Sequence, residues 1–176
     1  ITLARLDQAV ARILRVKLRA GLFDAGLPSL RPLAGDYKRL GCESHRAVAR
    51  EAVRKSLVLL KNNKQLIPLS PNQRILVAGT AADNISQASG GWTLSWQGTG
   101  NANSDFPNGQ SILAAIKEAV TDSQGTVDYH PEGEFEVRPD VAIVVFGEQP
   151  YAEFQGDRPH VDFTDNTGLE VLKKFK

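Results

Sequence analysis

Asp140-Val141-Ala142-Ile143-Val144-Val145-Phe146-Gly147 contains six consecutive apolar residues, four of them β-branched. A second run of the same kind, Arg74-Ile75-Leu76-Val77-Ala78-Gly79, lies upstream. Such runs are typical of strands that are buried on both faces of a parallel sheet. Between them, residues 109–120 carry apolar side chains at helical spacing, and residues 126–129 predict a short strand. The alternation of strands with a helix predicts an α/β fold with a mostly parallel sheet.

The chain before residue 74 has a different character. A first helix is predicted from Thr2, a suitable N-cap, to Gly21, a suitable stop, because leucine, isoleucine and valine recur on one face. Residues 24–41 contain scattered proline and glycine with few periodic apolar positions, which indicates a linker. A second helix is predicted over residues 44–55 and a short buried strand over residues 56–61.

These patterns predict three segments along the chain. They are a helical piece at residues 1–23, an interdomain linker at residues 24–41, and an α/β domain at residues 42–176. Since the chain opens on Ile1 and closes soon after a new helix is predicted, we expect it to be an internal piece of a longer protein.

The composition argues against several functional classes. With 21 basic and 20 acidic residues, the net charge of +1 leaves no excess of positive charge for a phosphate backbone, so nucleic acid is not an expected partner. No apolar run reaches the roughly 18 residues that cross a bilayer, so no membrane partner is expected either. The single cysteine, Cys42, and three separated histidines lack metal-ligand spacing, and no glycine-rich phosphate loop is present. We therefore expect no metal and no cofactor.

Two unusual loops follow the two apolar strands. The long polar segment at residues 81–108 contains both tryptophans of the chain, Trp92 and Trp96, flanked by glycines. The second loop follows Phe146. Because ligands bind at the carboxyl edge of a parallel sheet, both loops are candidates for one site. An indole face offers flat apolar area to a sugar ring. An anchoring role in the core remains the alternative for both tryptophans, and more so for Trp92.

The second loop carries three carboxylates, Glu148, Glu153 and Asp157. Glu153 stands between Tyr151 and Phe154, whose aromatic bulk is expected to exclude water from it. Exclusion of water favours the neutral carboxylic acid, the form that a general acid needs. Glu148 lies directly at the strand end, where a structural hydrogen-bonding role is expected.

Four motifs, in order along the chain, resemble glycoside hydrolase family 3. The first two are residues 6–23 and residues 45–62. The other two are the loops, with Gly90-Gly91-Trp92-Thr93 and Trp96-Gln97-Gly98 in one, and Gly147-Glu148, Pro150-Tyr151 and Glu153 in the other. The likeness covers nearly the whole chain and is greatest to the exo-glucanase branch of the family.

The resemblance implies a (β/α)8 barrel joined by a linker to a six-stranded α/β sandwich. Residues 1–23 would then include the last helix of the barrel, and residues 42–176 the N-terminal part of the sandwich. A β-glucoside or β-glucan oligosaccharide would bind in the cleft between the two domains, so the barrel domain of the same parent chain is an expected partner. The family also suggests a periplasmic or secreted bacterial protein.

The resemblance further implies a retaining, exo-acting β-glucosidase. By motif position, Glu153 matches the general acid/base and Trp96 matches an aromatic residue that clamps the second sugar. Trp92 is a further candidate for substrate binding, and Glu148 takes no proton-transfer role. The aspartate nucleophile would lie on the barrel, upstream of Ile1, so this chain alone is not expected to catalyse.

Two other functional classes remain as alternatives. The tryptophan pair also fits a non-catalytic carbohydrate-binding module. A signalling domain of flavodoxin-like architecture would need acidic residues at a strand end, and Asp83 is the one candidate for that role.

Overall fold

The structure is a computed structural model that describes residues 1–175. The chain divides into two compact units, Ile1–Val58 and Leu59–Lys176. Among the described residues, no helix has the length and apolar character required to cross a membrane. The division into residues 1–23, 24–41 and 42–176 stays a prediction.

The first unit is helical. Helix α1 spans Leu3–Arg19, and its start is capped by Thr2, whose Oγ1 accepts a hydrogen bond from the Arg5 backbone N–H at 3.3 Å. Two short 3-10 turns, Pro28–Leu30 and Tyr37–Arg39, lead to helix α2, Glu43–Ser56. The apolar face predicted for α1 is present but exposed within this unit, as at Val10 and Ile13.

The second unit is built on a three-stranded parallel sheet. Strand β1 spans Arg74–Ala78, helix α3 Ile85–Ser89, helix α4 Ile112–Val120, strand β2 Thr126–Tyr129, strand β3 Val141–Val144 and helix α5 Thr167–Lys173. The strand order is β2-β1-β3, and both neighbouring pairs are parallel. The predicted α/β fold with a parallel sheet is therefore confirmed.

The core lies where α4 covers one face of the sheet. Ile75 and Val77 of β1 are buried against Leu113 and Val120 of α4 and against Ala82, which follows β1. The N-terminus of α4 is capped by Ser111, whose Oγ accepts from the Ala114 backbone N–H at 3.1 Å. Alternate residues of the central strand thus face one helix, as a parallel strand covered by helices requires.

Asp140 fixes the amino ends of β1 and β3 to each other. Its backbone N–H donates to the Arg74 carbonyl at 2.9 Å, and its carboxylate accepts from the Arg74 backbone N–H at 2.8 Å. The register then pairs Ile75 with Val141 and Val77 with Ile143. This register determines which loop residues meet at the opposite, carboxyl edge.

Two predictions about secondary structure were wrong. A strand was predicted over residues 56–61, but Ser56 belongs to α2 and residues 57–61 form neither strand nor helix. Leu57 and Leu60 are exposed. An apolar run becomes a strand only when a neighbour satisfies its backbone groups, and within residues 1–175 none pairs with it. The segment at 81–108 was expected to lack helix but contains α3, which is capped by Asn84 and has five residues, too few to show a helical period.

The close contact between β1 and β3 depends on Gly79. Its φ is +89°, and an added Cβ would meet the Val145 backbone well inside the 3.0 Å limit of real contacts. We expect Gly79→Ala to destabilise the domain by about 2 kcal/mol or more, because left-handed strain adds to the steric clash. Calorimetric thermal unfolding of the full-length protein would measure this loss.

Gly147→Ala is the matched control, since a Cβ at Gly147 meets nothing within 4 Å and its φ is not in the left-handed region. That substitution should change the free energy of unfolding by no more than about 0.5 kcal/mol. Equal effects of the two substitutions would contradict the close approach at Gly79.

Candidate functional site

Two loops leave the same edge of the sheet. We call residues 90–98, downstream of β1, the tryptophan loop, and residues 147–157, downstream of β3, the glutamate loop. Since β1 and β3 are parallel neighbours, their carboxyl ends lie side by side. The structure therefore confirms that both loops extend from one edge.

The tryptophan loop is held by hydrogen bonds from the segment below it. Ser86 of α3 is buried, and its Oγ donates to the Gly98 carbonyl at 2.5 Å. The Asn101 side-chain amide donates to the Thr93 carbonyl at 3.2 Å. Within the loop, the Trp92 backbone N–H donates to the Trp96 carbonyl at 2.9 Å, which closes a tight turn. These bonds fix the backbone and leave the indoles pointing outward.

Both indoles belong to an exposed aromatic surface, formed by Trp92, Trp96 and Phe154. The Trp92 and Trp96 ring centroids are 6.1 Å apart, and Phe154 of the glutamate loop meets Trp96 edge-on at 5.7 Å. The exposed fractions are 66% for Trp92, 47% for Trp96 and 74% for Phe154. Neither tryptophan is buried in the core of this unit, so the packing does not support the anchoring alternative.

Glu153 lies at the border of this aromatic surface. The Trp96 indole N–H donates to its Oε2 at 3.1 Å. A hydrogen bond of this kind orients the carboxylate. The structure thus brings together Glu153 and Trp96, which sequence reasoning assigned to one site from separate loops.

The expected shielding of Glu153 by its aromatic neighbours is not observed. Glu153 is exposed in this chain. Phe154 adopts a left-handed φ of 69°, which turns its ring towards Trp96, and the Tyr151 hydroxyl donates to Glu148 Oε2 at 3.0 Å. The two aromatic residues are thus occupied by other partners, and this explains why adjacency in sequence did not produce burial.

Glu148 and Tyr151 form a separate hydrogen-bonded pair within the glutamate loop. The hydrogen bond to Glu148, and then the charge of that carboxylate, raises the pKa of the Tyr151 hydroxyl. Arg158, whose guanidinium lies 5.4 Å from the centre of the Tyr151 ring, acts in the opposite direction. The Gln87 amide also donates to the carbonyl oxygens of Gly147 and Glu148 at 2.9 and 3.1 Å. This set of contacts agrees with the structural role expected for Glu148.

The two loops approach each other closely because Gly91 has no side chain. A Cβ at Gly91 would overlap the Tyr151 carbonyl oxygen. Beside this contact, the Gln97 side-chain amide donates from Nε2 to the Glu153 carbonyl at 3.0 Å, and its Oε1 accepts from the Ala152 backbone N–H at 2.6 Å. Sequence reasoning missed these roles of Gly91 and Gln97, because neither a glycine nor a glutamine in a loop gives a periodic signal.

The second unit also contains cavities, one beside the glutamate loop and one along β2. Among the described residues, no group of three or more His, Cys, Asp or Glu is arranged to hold a metal ion. A cavity of about 180 Å³ is lined by Glu148, Tyr151 and Arg158, next to the site. A larger one of about 520 Å³ lies along β2, lined by Asp128 and His130, away from both loops.

Comparison with known proteins gives consistent matches. Residues 57–176 match the family model described as the glycosyl hydrolase family 3 C-terminal domain. The chain is 34% identical over 172 residues to a lysosomal beta glucosidase of Dictyostelium discoideum, which covers 88% of this chain and 21% of that protein. It is 38% identical over 124 residues to a periplasmic beta-glucosidase of Salmonella typhimurium, which covers 69% of this chain and 15% of that protein.

A solved structure of a glucanase also matches the fold of this chain. The chain superposes on the exo-1,3/1,4-beta-glucanase ExoP of a Pseudoalteromonas species with a TM-score of 0.92 at 47% sequence identity. The match covers 99% of this chain and 22% of ExoP. The chain therefore spans about a fifth of the length of these proteins.

Proposed function

Because the chain belongs to glycoside hydrolase family 3, we propose that it is part of a retaining, exo-acting β-glucosidase that removes terminal glucose from β-glucosides or β-glucan oligosaccharides. In this proposal the chain supplies Glu153 as general acid/base and Trp96, with Trp92, as the aromatic platform for the sugar. The observation that carries it is the 3.1 Å hydrogen bond from the Trp96 indole to Glu153. It sets a carboxylate at the border of a flat apolar surface, which supports the proposed pairing of the two roles.

The first chemical step is the formation of a glucosyl-enzyme. An aspartate on the barrel domain of the parent chain attacks the anomeric carbon while the bond to the glycosidic oxygen breaks, and Glu153 donates its proton to that oxygen. Since Trp96 engages Oε2 of Glu153, we assign the proton transfer to Oε1. A separation of about 5–5.5 Å between the two carboxyl groups would match the retaining outcome.

In the second step the roles at Glu153 reverse. Water attacks the anomeric carbon, its proton passes to the Glu153 carboxylate, and the aspartate leaves. Glu153 must therefore serve as both acid and base. Glu153 is exposed in this chain, and in the parent enzyme the bound sugar and the barrel domain would cover it during both steps.

The aromatic surface supports an oligosaccharide as substrate. Stacking of a sugar ring on an indole resembles an aromatic pair and is worth on the order of 1 kcal/mol. Trp96 contacts Glu153 directly, so a sugar on its face would present the glycosidic oxygen to the acid. The Trp92 ring centroid lies 6.1 Å from that of Trp96, so Trp92 adds a second indole to the platform.

The first test replaces the proposed acid. In the full-length enzyme, Glu153→Gln should lower kcat/KM for laminaribiose by about 10²-fold or more, because the leaving sugar needs a proton. For 2,4-dinitrophenyl β-glucoside, whose leaving group needs little protonation, kcat/KM should change by less than about fivefold. Steady-state kinetics on both substrates measures the difference.

Glu148→Gln is the matched control, since it neutralises the other glutamate of the same loop. Any loss from that substitution should be similar for the two substrates. Loss of equal size on both substrates in Glu153→Gln would count against Glu153 as the acid.

The second test concerns the platform. Trp96→Ala should raise KM for laminaribiose by about five- to tenfold, which corresponds to the loss of about 1–1.4 kcal/mol of stacking. β-Glucosyl fluoride has no second ring, so its KM should stay within about twofold. Trp96→Phe retains an aromatic face and should recover most of the affinity for laminaribiose. An equal rise in KM for both substrates would contradict the assignment of Trp96 to the binding site of the second sugar.

A further inference from the structure

We propose that Gln97 is a positioning residue for Glu153, acting through the backbone on either side of it. This inference rests on the acid/base role proposed above for Glu153. The Gln97 amide is not an acid or a base at neutral pH, and the two hydrogen bonds to the glutamate loop join it to main-chain atoms. Its effect is to hold the main chain that carries the acid.

The hydrogen-bond geometry supports this role. The Gln97 side-chain Nε2 donates a hydrogen bond to the Glu153 carbonyl at 3.0 Å. Its Oε1 accepts one from the Ala152 backbone N–H at 2.6 Å. One planar side chain thereby bonds the main chain of two consecutive residues, as donor to one and acceptor from the other. The paired bonds restrict both rotation and translation of the backbone at Glu153.

The glutamate loop needs such support. Phe154, the residue after Glu153, has a φ of 69°, a left-handed conformation that is unfavourable for a residue with a side chain. The local bonds lie on the downstream side, where Gly156 N–H donates to the Ala152 carbonyl at 2.7 Å and Gln155 N–H to the Glu153 carbonyl at 2.9 Å. Gln97 accepts a hydrogen bond from the Ala152 N–H, upstream of Glu153. This bond links the glutamate loop to the tryptophan loop.

Residues 96 and 97 together hold Glu153 at two points. Trp96 bonds the carboxylate, and Gln97 bonds the backbone carbonyl of the same residue. The sugar platform and the proton donor therefore move as one unit with the tryptophan loop. Since a displacement of about 1 Å can cost on the order of 10²-fold in rate, this link matters for acid catalysis.

The experiment uses Gln97→Met in the full-length enzyme, because methionine has nearly the same length and volume but cannot form either hydrogen bond. We expect kcat/KM for laminaribiose to fall by about 10- to 100-fold, since the acid is displaced. For 2,4-dinitrophenyl β-glucoside, kcat/KM should stay within about twofold, because its first step does not need the acid. The second substrate also reports whether the variant is folded.

A double-mutant cycle separates positioning from general structural damage. If Gln97 acts through Glu153, then adding Gln97→Met to Glu153→Gln should change kcat/KM for laminaribiose by less than about twofold. The matched control is Gln124→Met, which alters an exposed glutamine at the amino edge of the sheet, before β2. This control should leave both substrates unaffected.

Three outcomes would overturn the inference: no loss in Gln97→Met, equal losses on the two substrates, or a loss that persists undiminished in the Glu153→Gln background. Failure of the proposed function is recognised separately. In that case the loss of kcat/KM caused by Glu153→Gln would not depend on the leaving group of the substrate, and both proposals would be contradicted.

Discussion

Trp96 and Glu153 are 57 positions apart, and the parallel pairing of β1 with β3 is what allows their side chains to meet. The pairing sets the two strand ends side by side at the carboxyl edge. The two loops can then approach closely because Gly91 has no side chain to hold them apart. The indole-to-carboxylate hydrogen bond then joins a flat apolar surface to a group that can transfer a proton. Each proposed role in the site depends on this contact between loops.

The sheet could be predicted because its strands bury both faces and so consist of continuous apolar runs, as at residues 74–79 and 140–147. Helix α4 was predictable for a related reason, since its buried face repeats at helical spacing. The apolar run at residues 57–60 led to a wrong strand prediction, because strand formation depends on a neighbouring strand, which a local pattern does not reveal. Helix α3 was missed because its capping by Asn84 and its contacts with the loop, rather than a periodic face, stabilise it.

The site was predictable to the level of the loops and their tryptophans and carboxylates. Residue types and the topology of parallel sheets suggested one site, and the family resemblance singled out Glu153 and Trp96. The environment of Glu153 was not predictable, because the backbone conformation at Phe154 and the bond between Tyr151 and Glu148 redirect both aromatic rings. The Gln97 bonds were also invisible in sequence, since they join a side-chain amide to peptide groups 55 and 56 positions away.

The role of Glu153 as acid/base is tested most directly by azide rescue of Glu153→Ala in the full-length enzyme. With 2,4-dinitrophenyl β-glucoside the glucosyl-enzyme should accumulate, because water lacks its base. Azide needs no base, so it should attack the anomeric carbon, raise kcat by about 10-fold or more, and give β-glucosyl azide by NMR. Absence of acceleration, or formation of the α-azide, would contradict Glu153 as the acid/base of a retaining enzyme.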